Sequence, residues 1–210
     1  MKQVRHSRVG GRPGFPGFVD SRLRGNDDLR ALAGYFHRLS REAVLTIHYL
    51  EMTDPAQLRP SSRMVVGFEV KRAQVPYGAV NRFFYRTVGA AWQWTDRLPW
   101  TDDDWQAYAE RPGLETWIGY VQGTPAGYFE LARRDAGQVE IAMFGLLPPF
   151  IGRGVGGALL TAALRRAWEE GTRRVWLHTE SSDHPHALAN YQARGMRVYK
   201  TEGGMMDVLN

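Results

Sequence analysis

Apolar positions along the chain recur with two different periods, and the change between them divides the sequence. Arg63 to Lys71 (RMVVGFEVK) is rich in strand-forming residues and predicts a first strand. Tyr77 to Trp94 is aromatic and helical in spacing, although Gly78 and Gly89 blur its limits. Thr101 followed by three aspartates predicts a helix start, with a hydroxyl cap and carboxylates where the dipole favours them. Pro112 and Gly113 end that helix near Arg111. Three strands follow: Glu115–Val121, Ala126–Arg133 and Val139–Leu147, joined by QGTP and RDAG turns. The period then lengthens. Leu159, Leu160, Ala163, Leu164 and Trp168 give a helix over Gly154–Glu170, stopped by Gly171. A strand at Arg174–Thr179, a helix at His186–Arg194 and closing strands at Met196–Lys200 and Met205–Leu209 complete the pattern. A meander followed by a β-helix-β crossover predicts an α+β domain with a mixed, mostly antiparallel sheet flanked by helices.

Composition narrows the function. Hydrophobic residues at 43% and aromatics at 12% describe a globular chain. Cysteine is absent, which excludes disulfides, thiolate zinc sites and a cysteine nucleophile. No apolar run reaches the roughly 18 residues of a membrane helix, so no membrane partner is expected and a cytoplasmic address is the default.

Charge adds less than its total suggests. The chain carries 27 Lys/Arg against 22 Asp/Glu, but residues 1–51 hold nine of the bases and five of the acids. The body from 52 to 210 is therefore nearly neutral, and no nucleic-acid partner is expected. The run Arg5–Asp28 has no helical or strand period and resembles the translation of a dispersed intergenic repeat. Residues 27–50 offer a helix with Leu29, Leu32, Tyr35, Phe36 and Leu39 on one face. Two readings stand for 1–51: a disordered or weakly helical extension, or a mis-assigned start with the domain beginning at Met52. The functional domain is taken as 52–210.

The stretch Leu146–Leu160 (LLPPFIGRGVGGALL) carries the strongest chemistry. A strand runs into Gly152, Gly154, Gly156 and Gly157, and a helix starts at once. Amides at a helix start lack internal partners and sit at the positive end of the dipole. Glycines let phosphate oxygens approach those amides, and Arg153 adds a charge. The alternative is a glycine-rich connection that only packs tightly. The P-loop pattern is missing, and the loop sits too late for a Rossmann fingerprint.

The order of meander, glycine turn, long helix, strand and tyrosine-bearing helix resembles the GNAT superfamily of acetyl-CoA-dependent N-acetyltransferases. The family turn, [Q/R]xxGx[G/A], falls on Ile151, Gly152, Arg153, Gly154, Val155 and Gly156, with isoleucine in place of the polar first residue. A second signature falls on His184, Ala187, Tyr191, Gly195 and Met196, where His184 replaces the usual Asn and Met196 the usual Phe. The resemblance spans roughly 62–205.

It implies acetyl-CoA as co-substrate, held by Leu146, Leu147, Gly152, Arg153, Gly154, Val155, Gly156, Gly157 and His184, with an oxyanion donor near Leu146. It implies transfer to a primary amine, a small molecule being favoured over a protein, by direct attack in a ternary complex. Glu140 is the candidate base, with Glu130 on the neighbouring strand as fallback, and Tyr191 the candidate acid. A noncatalytic acyl-CoA-binding module is the competing reading. The aromatics Tyr77, Phe83, Phe84, Tyr85, Trp92 and Trp94, with Asn81, Arg82 and Arg86, would wall an acceptor pocket suited to a small cationic amine. His178, His184 and His186 lack the clustered carboxylates of a metal site, so no metal is expected. A homodimer stays open.

Overall fold

The computed structural model describes residues 44–169 and 171–205. Its first strand, β1 (Val44–Met52), corrects the sequence reading. The helix expected over 27–50 does not reach this segment, and residues 27–43 lie outside the described ones. The β-branched and aromatic run from Val44 to Tyr49 suits a pleated strand instead. β1 lies inside the sheet, paired antiparallel with β6 (Arg174–Glu180) on one side and β7 (Arg197–Met205) on the other. Leu50 and Met52 are fully buried. The fold thus reaches back past the expected boundary at 52, and a chain starting at Met52 would lose an interior strand.

The remaining elements are β2 (Phe68–Arg72), α1 (Gly78–Gly89), α2 (Asp102–Ala109), β3 (Leu114–Val121), β4 (Thr124–Arg134), β5 (Gln138–Leu146), α3 (Val155–Ala167) and α4 (Ala187–Ala193). β2 begins later than expected because Val65–Gly67 turns, with Gly67 at φ +67°. α2 starts as the sequence indicates: Thr101 Oγ1 accepts from the Asp104 amide at 3.2 Å, and Asp104 Oδ2 accepts from the Thr101 amide at 2.9 Å. The two expected closing strands form one, β7, because the chain stays in register with β1 through Gly203 and Gly204. Residues 206–209 of the second expected strand lie outside the described residues.

The seven strands run in the order β2-β3-β4-β5-β6-β1-β7, all antiparallel except β5 with β6. On one face α3 lays Leu159, Leu160, Ala163 and Leu164 against Phe129, Leu131, Val139, Ile141 and Leu177. On the other, α1 and α2 contribute Tyr85, Trp105 and Tyr108, which pack on Ala132. Phe84 of α1 stacks on Tyr128 at 4.8 Å between centroids.

Two irregularities interrupt the middle of the sheet. Glu130 pairs with Met143 but Leu131 with Ile141, so Ala142 is an extra residue that bulges β5. Further, β5 and β6 pair only from Gln138/Arg174 to Glu140/Trp176. Beyond that point the two strands diverge, and β5 continues to Leu146 with its β6 side unpaired.

Candidate active site

The divergence opens a cleft of about 1190 Å³ between β5 and β6, above the ~300–1,000 Å³ of an ordinary small-molecule pocket. Glu140, at the last ladder position, marks its floor, and Leu146 lies six residues on, roughly 20 Å at strand rise. The Leu147 amide donates to Ala126 O of β4 at 2.9 Å. Because successive amides of a strand point to opposite sides, the Leu146 amide faces the open side.

Past β5, a turn at Pro148–Phe150 leads into the glycine segment. Gly152 and Gly154 have φ of +78° and +83°, and Gly154 caps α3 in the left-handed conformation. A Cβ on Gly152 would meet nothing within 4 Å, whereas one on Gly154 would strike Arg63. One on Gly157 would lie 2.6 Å from Arg194 Nη1 and 2.9 Å from Ser61 Oγ. Gly152, Gly154, Gly156 and Gly157 all border the cleft. Open amides at the positive end of the α3 dipole are a donor set that an anionic group such as a pyrophosphate fits, while Arg63 and Arg194 stand against Gly154 and Gly157 outside the residues that line the cleft. Arg194 Nε is buried without a partner. Asn190 on α4 reaches the same place, its Nδ2 donating to Gly156 O at 3.4 Å.

The expected site residues do not all share this surface. Glu140, Leu146, Gly152, Gly154, Gly156, Gly157, His184 and Tyr191 line the cleft. Leu147, Arg153 and Val155 do not. Leu147 packs with the Phe84 and Val88 cluster, Val155 is buried beneath the turn, and Arg153 is exposed outside it.

Glu140 is nearly buried, and Arg134 holds its Oε2 through Nη2 at 2.6 Å and Nε at 3.2 Å. Oε1 has no hydrogen-bond partner among the described residues. Glu130 sits behind the cleft wall. Its Oε1 accepts from Asn81 Nδ2 at 2.8 Å and its Oε2 from the Tyr108 hydroxyl at 2.5 Å. Burial pushes the Glu130 pKa upward, against the lowering effect of those two donors and of Arg97 and Arg111. The even spacing of strand residues puts both carboxylates on the same face, yet only Glu140 reaches the opening.

Tyr191 is packed edge-on against Phe144 at 5.9 Å. Burial, and then the Asp183 charge, raise its phenol well above the ordinary value, so it stays protonated. Its hydroxyl has no hydrogen-bond partner among the described residues.

The aromatic segment splits. Tyr85, Trp92 and Trp94 line the cleft, Phe84 is core, and Tyr77 and Phe83 are exposed on the outside. Asn81 serves Glu130, and Arg82 pairs with Asp102. His184 meets Trp92 edge-on at 4.8 Å, and its Nδ1 accepts from the His186 amide at 3.1 Å. Among the described residues no group of three His, Asp or Glu side chains is placed to hold a metal ion. Sequence reasoning misses Arg97, Arg111, Asn190 and Asp183. The arginines sit in loops with no period to flag them; Asn190 is within reach, one residue before Tyr191.

Comparison with known proteins bears on the family and the fold. The family described as Acetyltransferase (GNAT) family matches residues 80–196. Over 59 residues the chain is 39% identical to a mycothiol acetyltransferase of Corynebacterium aurimucosum, spanning 28% of this chain and 19% of that protein. A GCN5-related N-acetyltransferase from Sphaerobacter thermophilus shares the fold at TM-score 0.57 and 21% identity, covering 82% of this chain and 54% of that one. An aminoglycoside acetyltransferase from an uncultured soil sample, in complex with sisomicin, aligns at TM-score 0.52 and 12% identity over 69% of this chain and 97% of its own. With the family match covering more than half of its residues and the splayed sheet and glycine turn in place, the chain belongs to the acetyltransferase (GNAT) family.

Proposed function

We propose that the protein transfers an acetyl group from acetyl-CoA to a primary amine of a small molecule by direct attack in a ternary complex. The observation that carries this is the convergence of the glycine cradle, the open β5 edge, Glu140 and Tyr191 on one cleft. The overall reaction is RNH3+ + acetyl-SCoA → RNH-acetyl + CoASH + H+. The coenzyme supplies the activated acyl carbon as a thioester.

The chain supplies the rest. The amides of the Gly152–Gly157 turn would hold the pyrophosphate, with Arg63 packed on Gly154 and Arg194 on Gly157 behind them. An acceptor ammonium, with a reference pKa near 10.4 for a lysine-like amine, must shed a proton before it attacks. Glu140 Oε1, free toward the cleft, takes that proton directly or through a water. The outward amide of Leu146 donates to the developing oxyanion. As the C–N bond forms and the C–S bond breaks, Tyr191 donates its phenolic proton to the leaving sulfur. A cytoplasmic setting suits this chemistry.

Calorimetric titration of the full chain with acetyl-CoA, and with 3′-dephospho-CoA as comparison, tests the reading. Micromolar binding followed by thiol release in an amine screen supports it. Binding without turnover by any amine would leave a coenzyme-binding module, and no binding by the folded protein would remove the transferase reading.

A further inference from the structure

Arg97 and Arg111 line the acceptor side of the cleft and have no ion-pair partner among the described residues. Four arginines of the sheet strands are matched: Arg134 with Glu140, Arg133 with Glu115 and Glu169, Arg174 and Arg197 with Glu51. Arg97 and Arg111 converge on a single ring. Arg97 lies 4.3 Å and Arg111 4.8 Å from the Tyr108 centroid. Trp100 at 4.9 Å and Tyr85 at 5.6 Å hold Arg97 further, and its Nη1 is buried with no hydrogen-bond partner.

None of the carboxylates around them forms an ion pair with either arginine among the described residues. Glu130 lies behind Tyr108 with one oxygen taken by Tyr108 and the other by Asn81. Glu140 is held by Arg134. Asp96 borders the cleft beside Arg97, and no ion pair forms between them. Arg97, partly buried with an unused donor, and Arg111 beside it make an incomplete arrangement, since a cation drawn out of water is retained where an anion completes it.

We propose that Arg97 and Arg111 form a carboxylate subsite, so that the acceptor is a small amine bearing a carboxylate, of which a free amino acid is the simplest case. This deepens the acetyl-transfer reading and rests on it. The placement fits one short molecule. Tyr108 packs on Ala132, and Ala132 is the cross-strand partner of Glu140. The guanidiniums and the proposed base therefore border one cleft on the same side of the sheet. The ammonium end meets Glu140, and the carboxylate end meets Arg97 and Arg111. A guanidinium fork matches a planar carboxylate bidentately, and Tyr85 and Trp94 wall the space around it.

Two measurements on the full chain test this. Tryptophan fluorescence in the presence of CoA is titrated with N-acetyl-L-amino acids and with the corresponding N-acetyl-amino-acid amides. Steady-state thiol release is compared for free amino acids, their amides and phosphoethanolamine. At least one carboxylate is expected to bind tenfold or more tightly than its amide, with the same preference in kcat/KM. In Arg111→Gln and in Arg97→Gln that ratio is expected to fall to within twofold of unity; in Lys71→Gln, a surface control paired with Glu69 away from the cleft, it is expected to persist. Equal binding of acid and amide, preference for phosphoethanolamine, or no binding by any probe to a folded protein would overturn the proposal. Discrimination of acid from amide without acetyl-CoA binding would keep the subsite and remove the transfer reading.

Discussion

Trp94 donates its indole N–H to Asp183 Oδ1 at 3.1 Å, tying the segment after α1 to the loop after β6. Asp183 also accepts from Thr179 Oγ1 at 2.7 Å and from the Glu180 amide at 3.0 Å, so its loop is fixed independently of Trp94. Trp94→Phe removes one bond and leaves that loop intact. We expect a loss of about 0.5–1.5 kcal/mol in denaturant unfolding. We also expect a larger rise in KM for the acceptor than for acetyl-CoA; equal changes in both would show that the tie does not position the acceptor wall.

Tyr191→Phe deletes a hydroxyl with no protein partner among the described residues. Thermal stability is expected to stay within a degree or two of wild type, while kcat falls roughly 10²-fold with acetyl-CoA affinity retained. A full rate in the variant would remove Tyr191 as the acid.

Glu140→Gln keeps a group that bonds to Arg134 and loses the proton acceptor. At pH 7 kcat/KM is expected to fall ~10²- to 10⁴-fold, and the residual rate to climb with pH as the amine deprotonates unaided. A profile superimposable on wild type would exclude Glu140 and return attention to Glu130.

Glu130 provides a stability test separate from catalysis. Burial raises its folded pKa above the unfolded value of about 4.3. A carboxyl shifted in that direction favours the fold in acid, and the advantage disappears as pH rises through the folded pKa. Relative to Glu130→Gln, the wild type is expected to lose stability from about pH 4 upward and then level off. Urea midpoints of the two proteins across the mildly acidic to neutral range would show this; a wild-type advantage that grows with pH would contradict the assignment.

Gly152→Ala and Gly154→Ala share the left-handed backbone, at a cost of about 1–2 kcal/mol each. They differ in surroundings. The added Cβ meets open space at 152 but the Arg63 side chain at 154. Gly154→Ala is therefore expected to be the less stable by chemical denaturation. Gly152→Ala is expected to weaken acetyl-CoA binding more than its stability loss explains, as read by calorimetry.

Much of the fold and part of the site are legible in the linear pattern, for reasons visible in single residues. Thr101–Asp104 announces a helix start because both halves of the reciprocal cap are local. Gly152 and Gly154 announce the turn because positive φ selects glycine. What escapes the pattern is non-local. Val44–Met52 becomes a strand because β6 and β7 close on it from both sides, which no neighbour in sequence reveals. Glu130 and Glu140 look interchangeable along the chain, since Asn81 and Tyr108 reach Glu130 from helices 49 and 22 residues away. Arg97 and Arg111 give no signal because their importance lies in the carboxylate each lacks.

The short ladder between β5 and β6 has a consequence for how the molecule comes apart. Three residue pairs join a four-stranded half, β2 to β5, to a three-stranded half, β6, β1 and β7. α3 packs on β2, β4 and β5 of the first half, in a core cluster that also holds Leu50, Val175 and Leu177 of the second. Such a seam divides a protein into separately opening cooperative units. Amide hydrogens of β3 and β4 will exchange as one group and those of β1 and β6 as another, with α3 protected longest. A ligand bridging the cleft would fuse the two into one.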